Sequence, residues 1–377
     1  MKSDVILLPC SSYDTEQVYE SIKTGIQLLG GLDSLIDKQE KILLKPNLLK
    51  KAEPDRAVVT HPSVAGAFAR LLSEEGCPNV FLSDSCGIGS TTAVVRASGM
   101  EDILKKYQTK ILDFSSSVKV KYPEGVQAQE FVIPKELSEM DCIISLAKMK
   151  THALERITGA VKNSYGFIYG NYKRIGHTQY PSADSFARML VDLNKYTSPR
   201  LYVLDGVLAM EGNGPGSGDP ISMNVILMSK DPVALDSVFC RLIHLDPALV
   251  PTNYHGEKMG LGTYKEENIR LLLPEGECSI EEVVRRFGNP DFHVDRRRSM
   301  ETIWTKMAKA LNIFQKKPYI KESDCIHCGV CVESCPVPEK AVQFKNGKGN
   351  PPVYDYKKCI RCFCCQEMCP AKAIRVK

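Results

Sequence analysis

The residues best equipped for chemistry crowd into the last stretch of this chain. Cys325-Ile-His-Cys328-Gly-Val-Cys331-Val-Glu-Ser-Cys335-Pro336 is followed, after a spacer, by Cys359-Ile-Arg-Cys362-Phe-Cys-Cys365-Gln-Glu-Met-Cys369-Pro370. Both runs carry the C-x2-C-x2-C-x3-C-P spacing, a known iron-sulfur signature. Three thiolates from one tight loop can grip three corners of a cubane, while the fourth, three residues on, points away. Zinc is the competing reading, because C-x2-C pairs also build structural zinc sites. Four ligands per ion, however, leave no reason for the third cysteine of each run or for Pro336 and Pro370. Two [4Fe-4S] clusters are therefore expected.

In two-cluster ferredoxins of the bacterial type, which this tail resembles, the fourth cysteine of each run ligates the other cube. The resemblance implies Cys325, Cys328, Cys331 and Cys369 on one cluster and Cys359, Cys362, Cys365 and Cys335 on the other. Cys364 falls opposite Val330 in the repeat and is read as a small buried apolar residue. Cys10, Cys77, Cys86, Cys142, Cys240 and Cys278 are scattered without pattern, which argues against a disulfide framework and for a reducing compartment.

The elements that must hold this module come before it. With 377 residues, 43% hydrophobic and 25% charged, the chain suits one large domain plus a small appendage. We divide it into a body, 1–295, a basic connector helix, 296–320, and the two-cluster module, 321–377. Their formal charges are −6, +6 and +4. Each oxidised cubane with its four thiolates adds about −2, so the loaded module is close to neutral and the connector alone stays basic. No apolar run approaches the roughly 18 residues needed to span a bilayer. The N-terminus has an acid and too short an apolar core for a signal peptide, so a cytoplasmic location is expected.

In the body, Val5–Leu8, Lys41–Lys45, Asn79–Ser83, Asp141–Leu146, Arg200–Asp205 and Ile269–Leu273 read as strands. Helices are expected over 15–30, 62–75, 182–196, 232–243 and 279–287. Alternation of the two predicts an α/β body with a mostly parallel sheet and flanking helices, joined to a small α+β ferredoxin-like domain. Ligands of such sheets sit beyond the carboxyl ends of the strands. Polar residues follow or end those strands: Lys45 and Asn47 after the second, Asp84 after the third, Lys148, Lys150 and His152 after the fourth, and Asp205 ending the fifth. Lys162, Asn163 and His177 come next. We take Lys45, Asn47, Lys148, Lys150, His152, Lys162, Asn163 and His177 as candidate catalytic residues, although a solvated loop charge is the ordinary reading of each alone.

Glu211-Gly-Asn-Gly-Pro-Gly-Ser-Gly218 lacks both the P-loop ending and the G-x-G-x-x-G spacing. It is read as an irregular loop over the pocket, able to present backbone amides to a ligand. Asp231 and Pro232 read as the cap and first residue of a helix. In the connector, Met300, Ile303, Trp304, Met307, Leu311 and Phe314 form an apolar stripe, expected to dock on protein rather than on a membrane. An acidic body without interleaved aromatic and basic residues argues against nucleic acid.

The ordered set Leu43-Leu-Lys-Pro-Asn47, Thr60-His-Pro62, Lys148-Met-Lys-Thr-His152, Thr158-Gly-Ala-Val-Lys-Asn163, Asp205-Gly206, Glu211-Gly-Asn-Gly-Pro215 and Asp231-Pro-Val-Ala-Leu-Asp236 resembles domain of unknown function family 362, in the variety with a C-terminal two-cluster module. The resemblance covers roughly residues 40–240 and the tail. It implies an α/β body and an iron-sulfur redox protein, and brings no substrate with it.

Four lysines and two histidines near one crevice would repel unless an anion joined them. The expectation is a ferredoxin-coupled reductase that passes electrons to an anionic substrate or cofactor in the body. The alternatives are an electron carrier or assembly protein that docks a partner enzyme, and a redox-sensing ligand-binding protein. A redox partner protein is expected in any case. A flavin would fit the need for electron pairs, but the sequence holds no flavin fingerprint.

Overall fold

The computed structural model describes residues 2–298, 316–345 and 347–377. Strands β1 (Ser3–Pro9), β2 (Ile42–Pro46), β3 (Val80–Leu82) and β4 (Lys110–Ile111) alternate with helices α1 (Thr15–Leu28), α2 (Pro62–Glu74), α3 (Thr91–Ala97) and α4 (Glu101–Lys106). A hairpin, β5 (Ser117–Lys121) and β6 (Glu130–Pro134), leads to β7 (Cys142–His152) and β8 (Arg156–Thr158). Then come α5 (Ala160–Asn163), α6 (Tyr172–Gln179), α7 (Ala183–Thr197), β9 (Leu201–Glu211), β10 (Asp219–Ser229), α8 (Pro232–Leu242), α9 (Pro251–Lys258), β11 (Ile269–Leu273), β12 (Gly276–Cys278) and α10 (Ile280–Phe287).

The main sheet runs β12-β11-β1-β10-β9-β7-β2-β3-β4, with β8 attached to β7. The pairs β11–β1, β9–β7, β7–β2, β2–β3 and β3–β4 are parallel, and β10 is antiparallel to both of its neighbours. This is the expected mostly parallel α/β body. β10 is a strand the sequence reading does not include. Its register breaks between Ser222 and Val225, and Asn224 there is left-handed at φ 55°, which interrupts the alternation a strand would show.

Both faces of the sheet are covered. In β1, Ile6 and Leu8 enter the core under α1 and α2, whereas Val5 and Leu7 enter the core under α8. Successive side chains of a strand point to opposite faces, so a strand buried on both sides reads as a continuous apolar run. Each of these side chains contributes roughly 1.5–3 kcal/mol by leaving water. Pro232 opens α8, and Asp231 caps it by accepting from the N–H groups of Val233 and Ala234, as its sequence signature implied.

In the module, β13 (Pro318–Ile320) pairs with β16 (Ile374–Val376), and β14 (Val342–Gln343) with β15 (Val353–Tyr354). Helices α11 (Val330–Ser334) and α12 (Cys364–Met368) start directly after left-handed residues, Gly329 at φ 80° and Phe363 at φ 62°. The expected stripe from Met300 to Phe314 lies outside the described residues.

Candidate functional site

Strand β7 is longer than its apolar run suggests, and this moves several candidate residues. Lys148, Lys150 and His152 were expected in a loop beyond the strand, but they lie within it at every second position, and all three are buried. Asp205, expected to end its strand, lies well inside β9, which runs on to Glu211, and sits directly across from Lys148 in register. The cross-strand pair closes on itself: Lys148 Nζ donates to Asp205 Oδ2 at 2.8 Å and to the Tyr13 hydroxyl at 2.7 Å. Tyr13 in turn donates to Asp205 Oδ1 at 2.6 Å and stacks on His61, ring centroids 3.4 Å apart. Burial lowers the Lys148 pKa and Asp205 opposes the shift. Lys148 is thus committed to an internal ion pair, not to a crevice.

Lys150 donates to Asn47 Oδ1 at 2.7 Å and to the Val58 carbonyl at 2.8 Å. Burial, and then the charges of Lys162 and Lys148, push its pKa well below the usual lysine range. Lys45 is held by Asp84 Oδ1, Asn163 Oδ1 and the Pro46 carbonyl, each at 3.0 Å. Gly166 makes room for this pair, since a Cβ there would lie 1.9 Å from Asp84 Oδ1 and 2.4 Å from Lys45 Nζ. The premise that the lysines need an external anion therefore fails for Lys45 and Lys148, whose charges are met by carboxylates within the chain.

A cavity of about 500 Å³ opens beyond the ends of β2 and β3. Of the candidate residues, Lys45, Asn47, Lys162, Asn163 and His177 line it; Lys148, Lys150 and His152 do not. Asp84, Cys86, Lys173 and Arg174 from the body also reach it. The opposite wall is the module: Val330, Glu333 and Ser334 from α11, and Cys364, Glu367 and Met368 from α12. Lys173 donates to the Ser85 carbonyl, and burial brings its pKa down to about 8. His177 stacks on Phe186, and burial pushes it down to about 4.

His152 joins the two halves of the molecule. Its Nδ1 accepts from the N–H groups of Leu154 and Glu155, both at 3.1 Å, which leaves the ring proton on Nε2. Nε2 lies 2.9 Å from Glu367 Oε1 of the module. Burial lowers His152 to about 4, so the ring is neutral. Burial alone would raise Glu367, but His152, Lys162 and His177 outweigh it and hold the carboxyl down at about 2. Lys50 adds a hydrogen bond to the Glu367 carbonyl at 3.1 Å.

The glycine-rich loop between β9 and β10 departs from expectation in the same way: it seats the module and does not line the cavity. The Gln366 amide donates to Asn213 Oδ1 at 2.9 Å and to the carbonyls of Asn213 and Gly214 at 2.8 and 3.0 Å. Asn213 answers by donating to the Ile374 carbonyl at 2.9 Å. At Gly216 a Cβ would lie 2.5 Å from the Glu367 carbonyl, so backbone meets backbone there.

Four thiols, Cys325, Cys328, Cys331 and Cys369, line one hollow of the module. Burial first, then the charges of Cys328, Cys369 and Cys325, raise the Cys331 thiol to about 11. Burial likewise raises Cys359, with Cys362 and Cys335 among its charged neighbours. Each loop turns with left-handed residues at matching positions, His327 and Gly329 in one run and Arg361 and Phe363 in the other. No group of three or more His, Cys, Asp or Glu among the described residues is gathered for a single metal ion. A cubane instead spreads its thiolates over four irons. The donor set and the hollow fit such a cluster. Ala341 N–H, 3.4 Å from Cys335 Sγ, and Tyr354 O–H, 3.1 Å from Cys365 Sγ, are bonds of the kind that tune a cluster's potential.

The sequence reading did not single out Lys173, Gln366, Glu367 or Glu155. Gln366 and Glu367 are polar residues inside a ligand loop, and Glu333 holds the equivalent place in the other run. That recurrence was the available signal. Cys364 was expected to fill space; it is buried and lines the cavity. Glu155 is fully buried with neither carboxyl oxygen bonded, and burial raises its pKa well above the usual range. Asp236 holds α5 by accepting from the N–H groups of Ala160 at 2.6 Å and Val161 at 3.1 Å.

Comparison with known proteins matches residues 42–241 to the family described as Domain of unknown function (DUF362), and residues 317–370 to the 4Fe-4S dicluster domain. A thylakoid-associated protein, sll1697, of Synechocystis sp. is 35% identical over 263 residues, covering 69% of this chain and 81% of its own. Among solved structures, the lactate racemase apoprotein from Thermoanaerobacterium thermosaccharolyticum aligns at 12% identity and a TM-score of 0.41, over 64% of this chain and 57% of that one. A Thermotoga maritima protein aligns at 11% identity and a TM-score of 0.35, over 65% and 59%. Among the described residues, no helix is long and apolar enough to cross a membrane.

Proposed function

Because this chain belongs to the DUF362 family and carries a 4Fe-4S dicluster domain, we propose that it is a ferredoxin-coupled reductase whose cavity between body and module holds an anionic substrate or cofactor. One observation carries this reading: body residues that bear cations and the loop that flanks Cys362 and Cys365 line a single cavity. We assign Cys325, Cys328, Cys331 and Cys369 to one cluster and Cys335, Cys359, Cys362 and Cys365 to the other. When bound, the clusters supply single electrons.

The chain's own residues do the rest. Lys162 presents an ammonium to the ligand, and Asn163, fixed by Lys45 and by Ser145 at 2.9 Å, shapes the floor. Lys173, with a pKa of about 8, is matched to proton delivery near neutral pH. Leu49 and Met368 add apolar surface to the wall that also holds Cys364.

The test is anaerobic reduction by dithionite followed by reoxidation with a panel of small organic anions. A reactive anion should reoxidise the native protein and fail with Lys162→Met at unchanged iron content. The carrier reading replaces this one if no small molecule works and a partner protein does. One feature favours a protein partner: Cys328 is exposed, two residues from Ile326 at 64% exposure, so a donor has access to the first cysteine run. We place the protein in the cytoplasm; the thylakoid association of its relative supports a position at a membrane face.

A further inference from the structure

The two cysteine runs repeat each other, Cys325, Cys328, Cys331 and Cys335 recurring as Cys359, Cys362, Cys365 and Cys369. Their loops turn with left-handed residues at the same places, so a difference between the clusters has to come from what surrounds each loop. Five residues before the first cysteine of each run such a difference appears: Ile320 ends β13, and Tyr354 ends β15. Both side chains are partly buried against the module's core. Ile320 borders the hollow of Cys325, Cys328, Cys331 and Cys369 and offers it only hydrocarbon. Tyr354 instead sets a hydroxyl 3.1 Å from Cys365 Sγ.

Local structure aims that hydroxyl. Tyr354 pairs with Val342 across the β14–β15 ladder, Asp355 N–H donates to the Ala341 carbonyl at 2.8 Å, and the Tyr354 ring stacks on Tyr356 with centroids 5.6 Å apart. The same hairpin holds Ala341 N–H 3.4 Å from Cys335 Sγ, so it brings two donors to two sulfurs that we assign to one cluster. A phenol keeps its proton at neutral pH, which makes Tyr354 a standing donor. A cluster thiolate becomes more negative when an electron is added, and a hydrogen bond to it strengthens accordingly. Glu367 works the other way, since its carboxylate is among the charges that act on Cys362 and opposes further negative charge there. We infer that Tyr354 is a positioning residue that raises the electron affinity of the second cluster, the one whose loop borders the cavity. Ile320 gives the first cluster no such bond, so an electron held by the module is biased toward the cavity side. This inference rests on the cluster assignment proposed above, and not on the identity of the cavity's ligand.

Redox titration of the iron-loaded protein, followed by electron paramagnetic resonance, tests it with no substrate present. Tyr354→Phe removes the hydroxyl alone. At native iron content it should lower one cluster potential by about 59 mV, a tenfold loss in a one-electron equilibrium and the order expected for one hydrogen bond to a charged group, and leave the other potential unchanged. The iron–cysteine stretching bands in resonance Raman spectra should rise in frequency, which a purely structural role would not cause. Tyr356→Phe, which loses a hydroxyl that donates to the Pro318 carbonyl at 2.9 Å, should leave both potentials at their native values. Should Tyr354→Phe fail to hold iron, native chain made with 3-fluorotyrosine, a more acidic phenol, should show one potential raised. Native potentials in Tyr354→Phe, an equal shift of both clusters, or no response to 3-fluorotyrosine overturns the inference. If the potential falls as expected while no small anion reoxidises the clusters, the reductase reading falls and this one stands. If small anions reoxidise them and Tyr354→Phe keeps both potentials, this one falls.

Discussion

Gly166 shows what a buried ion pair demands of its surroundings. A methyl group there would collide with Asp84 and Lys45, and neither partner can swing away without losing the other. Gly166→Ala should cost about 1–3 kcal/mol, the usual penalty of overpacking, visible as a lower melting temperature of the iron-loaded protein. Lys148→Ala should cost more, about 3–5 kcal/mol, because Asp205 would be left charged and buried. Equal melting of native and Lys148→Ala protein would show that this pair does not bear on stability. The histidines set the acid limit. His152 and His177 titrate at about 4 when folded and near 6.5 when unfolded, so the unfolded chain binds more protons between those values. Stability should therefore fall as pH drops from about 6.5 to 4, and His177→Phe should flatten part of that slope in denaturant titrations. On the alkaline side, Lys173 loses its proton around pH 8, so turnover that depends on it should decline above that pH. Lys173→Met should remove that limb of the profile.

At the level of the element, the strands and helices were legible where burial imposes a pattern, and misread where polar residues are buried. The run Asp141–Leu146 announced β7, but Lys148, Lys150 and His152 read as loop because their partners, Asp205, Asn47 and Glu367, come from elsewhere in the sequence. Only the fold brings such partners together, so no local pattern could mark them as interior. The glycine-rich loop misled for a related reason: its glycines serve close approach to the module and not to a ligand. Gln366→Ala would strand the carbonyls of Asn213 and Gly214, a loss of about 1–3 kcal/mol in seating the module. Limited proteolysis between body and module should then accelerate, with cluster absorbance unchanged. An unaltered cleavage rate would mean that this contact does not hold the halves together.

On the scale of the whole molecule, the cavity belongs to neither half. The eight spaced cysteines and the ordered body motifs were readable because each is local, and they identified both halves correctly. The shared cavity was not, since the sequence does not state which face of the body meets which loop of the module. Chelation of iron under anaerobic conditions tests the dependence. Removing the metal should disorganise the module, because its own apolar core is small. The body, with two large cores of its own, should keep its cooperative unfolding transition.

The placement of Cys364, Glu367 and Met368 also bears on how the protein is made. Synthesis runs from the N-terminus, so everything else that lines the cavity leaves the ribosome before these three residues. Until the tail arrives and takes up its metal, the nascent body offers an unfinished seat, with Gly214, Gly216 and His152 uncovered. Completion of the cavity thereby waits on the folding of the module around its metal, after the body's share of the wall has been made.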